Sequence, residues 1–268
     1  MNVSIVATSH VLPATMTLPA ELSQQLRRAD TFIQLAVSAV HQCLSQCPEI
    51  SRESPDRCGL FLGTAHGPMQ TGFEVLDLIL NNQQTSPTLF SHSVFNAAAG
   101  YLARIFALQG RALTLTDFAW PFFQALQQGC LAICAGQLDR CLVLQVETYS
   151  ELFLDSYRED QPPAPGSVCW LLERPGTTDQ YPCLTALTIQ TRPASNEMYH
   201  SRREELRCDD RNSIFSDPLA TVAAMNRIIA AGLFSGECTL TAPYGDVRLT
   251  TEKLQANQAA DPFGHHNS

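Results

Sequence analysis

Charge is scarce in this chain of 268 residues: 16% of the side chains are Asp, Glu, Lys or Arg, and 26 acidic residues outnumber 17 basic ones. The net charge of −9 opposes a sequence-independent grip on phosphate backbones, so no nucleic-acid partner is expected. No apolar run reaches the roughly 18 residues of a membrane span. The residues from Met1 to Val6 lack the basic start and continuous apolar stretch of a secretory signal. No CxxC pair occurs, and 10 cysteines in 268 residues fall below the density of disulfide-stapled domains. The closest pairs, Cys43/Cys47 and Cys130/Cys134, lie in apolar periodic segments where sulfur acts as a small hydrophobe. Neither a metal nor a cofactor is expected. Repeats and low-complexity tracts are also missing. These absences describe a soluble protein of a reducing, cytoplasmic compartment, and the 45% hydrophobic content suffices for a sizeable core.

What is present reads as alternating strands and helices. Residues 3–6 form a short strand and residues 12–21 a loop. From Ser23 the pattern changes: Leu26, Ala29, Phe32, Ile33, Ala36, Val37, Val40 and Leu44 recur every three or four positions, predicting one helix that Pro48 ends. Residues 58–64 read as a buried strand entering a glycine loop, residues 73–80 as a helix, and residues 94–108 as an alanine-rich helix packed closely through Gly100. A strand over 112–116, a helix over 121–135 with proline in its first turn, and a strand over 141–146 follow. This order predicts an α/β layered fold with a largely parallel sheet. Past Glu147 come a proline-rich connection at 161–166, strands at 167–172 and 184–190, and a polar surface excursion over 191–212. Asp217 caps a helix running to about 231, short strands lie at 237–241 and 247–249, and the last ten residues fray.

Several landmarks share one order and spacing: Cys58-Gly59-Leu60-Phe61-Leu62-Gly63-Thr64-Ala65-His66-Gly67, Ser86-Pro87 with Phe90, Val94-Phe95-Asn96, and Leu108-Gln109-Gly110-Arg111-Ala112. Residues 132–136 with Leu138-Asp139-Arg140, the strand ending at Glu147, and the strand over 166–173 complete the series. In this the first 175 residues resemble the N-terminal half of the β-ketoacyl synthases of the thiolase superfamily. The resemblance implies a thiolase-like layered fold, with a nearly complete first half over 1–175, a reduced C-terminal portion over 176–255 packed on it, and a frayed tail over 256–268.

In active synthases of this family, the strand matched by residues 113–117 runs into an Ala-Cys-Ser turn whose cysteine, at a helix N-terminus, becomes the acyl-accepting thiolate. The matching positions here are Ala119, Trp120 and Pro121. Indole carries one N–H donor and no nucleophilic atom, so no thioester can form at Trp120. The family's later histidines have no counterpart in context: His200 lies in a polar stretch, His265 and His266 end the chain, and the matching position reads Cys238. A nucleophile-free synthase fold too short for two full halves resembles the chain length factors of type II polyketide synthases, in particular the compact ones of aryl polyene pathways. That likeness implies a heterodimer with a catalytic ketosynthase, contact with acyl carrier protein, and partner- or tunnel-facing roles for Phe118, Trp120, Phe122, Phe123, Phe90 and Phe95. Trp120 is read as a plug or tunnel wall, or as an ordinary core aromatic. His66 and His92 read as structural loop histidines, and Asp117 and Glu147 as strand-end carboxylates that either cap or function. The alternatives are an acyl-transfer enzyme with a displaced nucleophile, for instance Cys130 or Cys134, and a stand-alone regulatory protein on a dead synthase fold.

Overall fold

The computed structural model describes residues 1–47, 54–156, 163–176, 181–192, 204–208, 211–215, 217–231 and 235–253. Its strands are β1 (Val3–Val11), β2 (Cys58–Thr64), β3 (Ala112–Thr116), β4 (Arg140–Glu147), β5 (Gly166–Glu173), β6 (Pro182–Thr191), β7 (Glu204–Cys208), β8 (Arg211–Phe215), β9 (Gly236–Ala242) and β10 (Gly245–Lys253). The helices are α1 (Ala20–Gln25), α2 (Thr31–Ser45), α3 (Met69–Leu80), α4 (Pro87–His92), α5 (Ala97–Ile105), α6 (Pro121–Cys134), α7 (Glu151–Ser156) and α8 (Pro218–Ala230). All ten strands join one sheet in the order β3-β2-β4-β5-β1-β6-β10-β9-β7-β8.

Helices cover both faces of this sheet. Leu60 and Leu62 of β2 and Leu142 and Leu144 of β4 point to one side, against Ile33, Ala36 and Val40 of α2 and Ala98 and Leu102 of α5. Phe61, Cys141, Val143 and Trp170 point to the other, against α6 and α8. Being covered on both faces, β2 and β4 are buried along their whole lengths, which explains their unbroken apolar runs. Gly129 lets α6 approach the sheet, since a Cβ there would lie 2.8 Å from Cys141 Sγ and 3.1 Å from Val143 Cγ2.

Several expectations are corrected. The sheet is mixed: β2 runs parallel to β3 and β4, whereas β5 is antiparallel to both β4 and β1, and β6, β10, β9, β7 and β8 continue antiparallel. After β4 the chain turns back beside itself, a connection that needs no helical crossover. The helix predicted from Ser23 is broken between α1, which ends at Gln25, and α2, because Asp30 caps α2: its Oδ1 accepts from the Ile33 amide at 3.0 Å, while Oδ2 accepts from Thr71 Oγ1 at 2.6 Å. The segment 94–108 begins with a loop, and α5 packs through Ala98, Ala99 and Leu102; Gly100 is exposed with open space around it. The polar excursion contains β7, whose Glu204, Leu206 and Cys208 alternate inward. Asp217 does cap α8, accepting from the Leu219 amide at 3.0 Å. Pro48, the excursion's 193–203 and the frayed tail lie outside the described residues.

Candidate functional site

The turn carrying Ala119, Trp120 and Pro121 sits where β3 hands over to α6. Asp117 follows β3, and its Oδ1 accepts from the amides of Ala119 at 2.7 Å and Trp120 at 3.3 Å, folding residues 117–120 into a tight turn. Trp120 occupies the N-cap position of α6 but offers no capping side chain. Pro121 opens the helix, and its carbonyl presses on β2: a Cβ at Gly63 would lie 2.0 Å from Pro121 O. Only glycine at 63 permits this seating of the helix N-terminus.

Within this turn neighbouring aromatics part company. Trp120 is 1% exposed and lies edge-on to Phe123 at 6.0 Å and Tyr244 at 4.9 Å. Its indole N–H has no hydrogen-bond partner among the described residues. Phe122 and Phe123 are buried, with Phe122 against Trp170 at 4.8 Å. Phe118 is 63% exposed and meets the His66 ring at 5.8 Å. Phe95 is also exposed and lies over Gly67, whose positive φ of 62° shapes the loop after β2; Phe90 is exposed on α4. The structure therefore gathers Trp120, Phe122 and Phe123 in the interior and leaves Phe118, Phe90 and Phe95 on the surface.

The loop carrying His66 is pinned from below by Glu147, the last residue of β4. The buried carboxylate accepts from the amides of Ala65 at 2.7 Å and His66 at 3.2 Å, from Thr64 Oγ1 at 3.2 Å and from Gln145 Nε2 at 3.1 Å. Glu147 is thus a fully engaged anchor, and the Asp117 carboxylate holds a turn; both are in capping geometry. His66 packs among Phe118, Tyr149 and Phe153, and buried His92 shares a hydrogen bond with the Tyr101 hydroxyl at 2.9 Å.

The displaced-nucleophile alternatives fare poorly on geometry. Cys130 is buried in α6, and desolvation pushes its thiol up to about 12, so it carries no thiolate near neutrality. Cys134 is exposed but ends α6, where the helix dipole disfavours negative charge. Among the described residues no grouping of His, Cys, Asp and Glu could hold a metal ion.

Two features escaped the sequence. Cys238 is bonded to Cys208 in a disulfide with Cα atoms 4.3 Å apart, a pairing that the low cysteine density and the reading of a reducing compartment did not lead one to expect. No spacing signalled it, because β7–β9 pairing alone brings the two together. At the opposite end of β7, the buried Glu204 carboxylate accepts from Thr221 Oγ1 at 2.5 Å and from the Tyr244 hydroxyl. Tyr244 belongs to the Pro243-Tyr244-Gly245-Asp246 turn, so this carboxylate anchors the ring that packs edge-on against Trp120. His200, His265 and His266 lie outside the described residues.

The other side of the turn is an open edge. Among the described residues β3 pairs only with β2, and edge strands present unpaired N–H and C=O groups. Among the described residues, eight of the eleven exposed large apolar side chains lie between Phe73 and Phe118, including Leu76, Ile79 and Leu80 on α3.

The family model for the β-ketoacyl synthase N-terminal domain matches residues 4–225. The chain belongs to this family. Comparison with curated proteins gave no match. Among solved structures, a chain of a ketosynthase in complex with its chain length factor from Xenorhabdus doucetiae superimposes with a TM-score of 0.64 at 15% identity, over 93% of this chain and 99% of that one. The ishigamide ketosynthase/chain length factor gives 0.56 at 16% identity, covering 71% of this chain and 68% of that one. A type II polyketide acyl carrier protein in complex with its ketosynthase bound to the hexaketide gives 0.56 at 16% identity, covering 74% and 71%. The sheet with helices on both faces is accordingly the thiolase-like fold of this synthase-domain chain. No helix among its described residues is long and apolar enough to cross a membrane.

Proposed function

We propose that this synthase-domain protein is a non-catalytic partner of a β-ketoacyl synthase, acting as a chain length factor acts on its ketosynthase. The observation that carries the reading is Trp120: a buried indole without nucleophilic chemistry fills the turn where the family places its acylated cysteine. The exposed β3 edge, with Phe118, Phe95, Phe90 and the apolar face of α3, would meet the catalytic subunit in a cytoplasmic heterodimer. Trp120, Phe122 and Phe123 would back that surface from within and limit the depth available to the partner's growing chain. Residues 1–175 supply the synthase-like half that bears this edge, and residues 176–255 supply the wall containing Tyr244. The chemistry would be that of a type II polyketide or aryl polyene assembly fed by acyl carrier protein, with the catalytic thiol on the partner.

Co-expression with candidate synthases tests the reading. A stable one-to-one complex is expected, and mass spectrometry after incubation with acyl or malonyl carrier protein should place any acyl adduct on the synthase alone. A covalent adduct on this chain, or a monomer indifferent to every synthase offered, would refute it.

A further inference from the structure

β7 is fastened at both ends. At one end Cys208 and Cys238 are register partners in the antiparallel β7–β9 ladder and are joined by the disulfide. At the other, Glu204 binds Thr221 of α8 and the Tyr244 hydroxyl, and the Tyr244 ring lies 4.9 Å from Trp120. Between them the ladder to β9 spans only Glu205 to Cys208, and among the described residues β8 pairs with β7 alone. Among the described residues the β7–β8 hairpin is attached through this short ladder, through packing on α8, and through side-chain fastenings of which the disulfide is covalent. The other eight cysteines form no disulfide, including Cys43, whose thiol donates to the Cys169 carbonyl at 3.8 Å. The sulfur bond is specific to the pair that holds the hairpin.

We propose that the Cys208–Cys238 bond is a redox-operated latch on the wall that packs Tyr244 against Trp120. Closed, it seats β7 so that Glu204 holds Tyr244 against Trp120. Opened, it releases β7 and β8 from β9 and loosens that wall. Opening is thiol–disulfide exchange: one thiolate of a dithiol attacks a sulfur of the bond and the other cysteine leaves, then the dithiol's second sulfur attacks its first and expels the cysteine held in the mixed disulfide. The dithiol is oxidised to its disulfide, and Cys208 and Cys238 each end as thiols. Glutathione disulfide reverses the change, taking up the two electrons as two molecules of glutathione. In a reducing compartment a bond of this kind belongs to the switching class and not to the permanently structural one.

The full chain, incubated with glutathione disulfide, is denatured with N-ethylmaleimide before or after dithiothreitol. Eight adducts before and ten after are expected, matching eight free cysteines and one bond. In the folded protein, reduction should lower Tm by roughly 10 °C, given a closed loop of this length in a chain of this size. It should also speed limited proteolysis between residues 204 and 215 at least about tenfold by unfastening the hairpin. A Trp170→Phe variant, in which only Trp120 emits, should show a red-shifted emission on reduction that glutathione disulfide reverses; the wild-type proteolysis and Tm readings need no substitution. The C208S/C238S double variant should behave as open and ignore dithiothreitol. Ten adducts before reduction would overturn the bond itself. A bond whose reduction leaves proteolysis and Tm unchanged would overturn the latch.

Discussion

Replacing Trp120 separates its packing from its unpaired donor. Truncation to alanine removes a fully buried indole that touches Phe123 and Tyr244, and should cost about 3–5 kcal/mol. For a chain of this size that lowers Tm by roughly 10 °C. Phenylalanine poses a different balance. A residual gap of roughly 40 Å³ costs about 1 kcal/mol, while deleting a buried N–H without a partner among the described residues returns about 1–3 kcal/mol. Trp120→Phe should therefore be neutral or stabilising by up to about 2 kcal/mol, and Tm should hold or rise by a few degrees. Urea denaturation followed by circular dichroism, with calorimetry alongside, measures both variants. A loss of about 3 kcal/mol or more for Trp120→Phe would refute the reasoning, because it would show that the indole donor is satisfied in the folded chain. In the proposed heterodimer, the alanine variant should lengthen the product or weaken the complex, and unchanged products and melting temperature would remove the proposed tunnel-wall role.

Glu147→Ala should cost about 3–5 kcal/mol in urea denaturation, since it orphans the buried amide of Ala65 and three further donors around it. Phe118→Asp should leave the isolated chain's Tm within about 2 °C, because the ring is largely exposed, yet weaken synthase binding at least about tenfold by placing a charge in an apolar interface; surface plasmon resonance reads this. Native alkylation at pH 8.5 should modify exposed Cys134 and spare Cys130, whose thiol is held at about 12 by burial, until the chain is unfolded; peptide mass mapping decides it. The paired Arg57 guanidinium, 2.5 and 2.8 Å from the Asp139 carboxylate oxygens, holds that carboxyl below its usual range. A depressed folded value stabilises above the unfolded pKa of about 3.9 and the effect fades as pH falls through the folded value. Arg57→Ala should flatten that part of the acid limb in urea titrations between pH 2 and 5, and an unchanged limb would remove the pair from the account.

Local patterning carried much of the first 175 residues. The continuous apolar run of β2 and the alternation of β3 were legible to the residue, because strands buried on both faces or at a half-buried edge write their environment directly into composition. Less legible was the break at Asp30, where a cap interrupts an apolar period that continues through it. β7 was hidden more deeply: its inward Glu204, Leu206 and Cys208 sit in a polar stretch, and a carboxylate there becomes tolerable only because Thr221 and Tyr244 arrive from distant elements. Gly100 misled, since a glycine in a helix suggests close approach whereas the neighbouring alanines make it.

The absence of a nucleophile at position 120 follows from residue identity and needs no coordinates, and the apolar periods that name the first strands and helices follow from burial alone. Pairing and direction are different quantities. Whether β5 runs with or against β4, which of Phe118 and Trp120 faces inward from the same turn, and that Cys208 meets Cys238 across thirty residues all depend on which segments come together in space. A side chain's solvent preference is a local property, but its partner is chosen by long-range packing, and so the identity of Trp120 was readable while the wall packed around it was not.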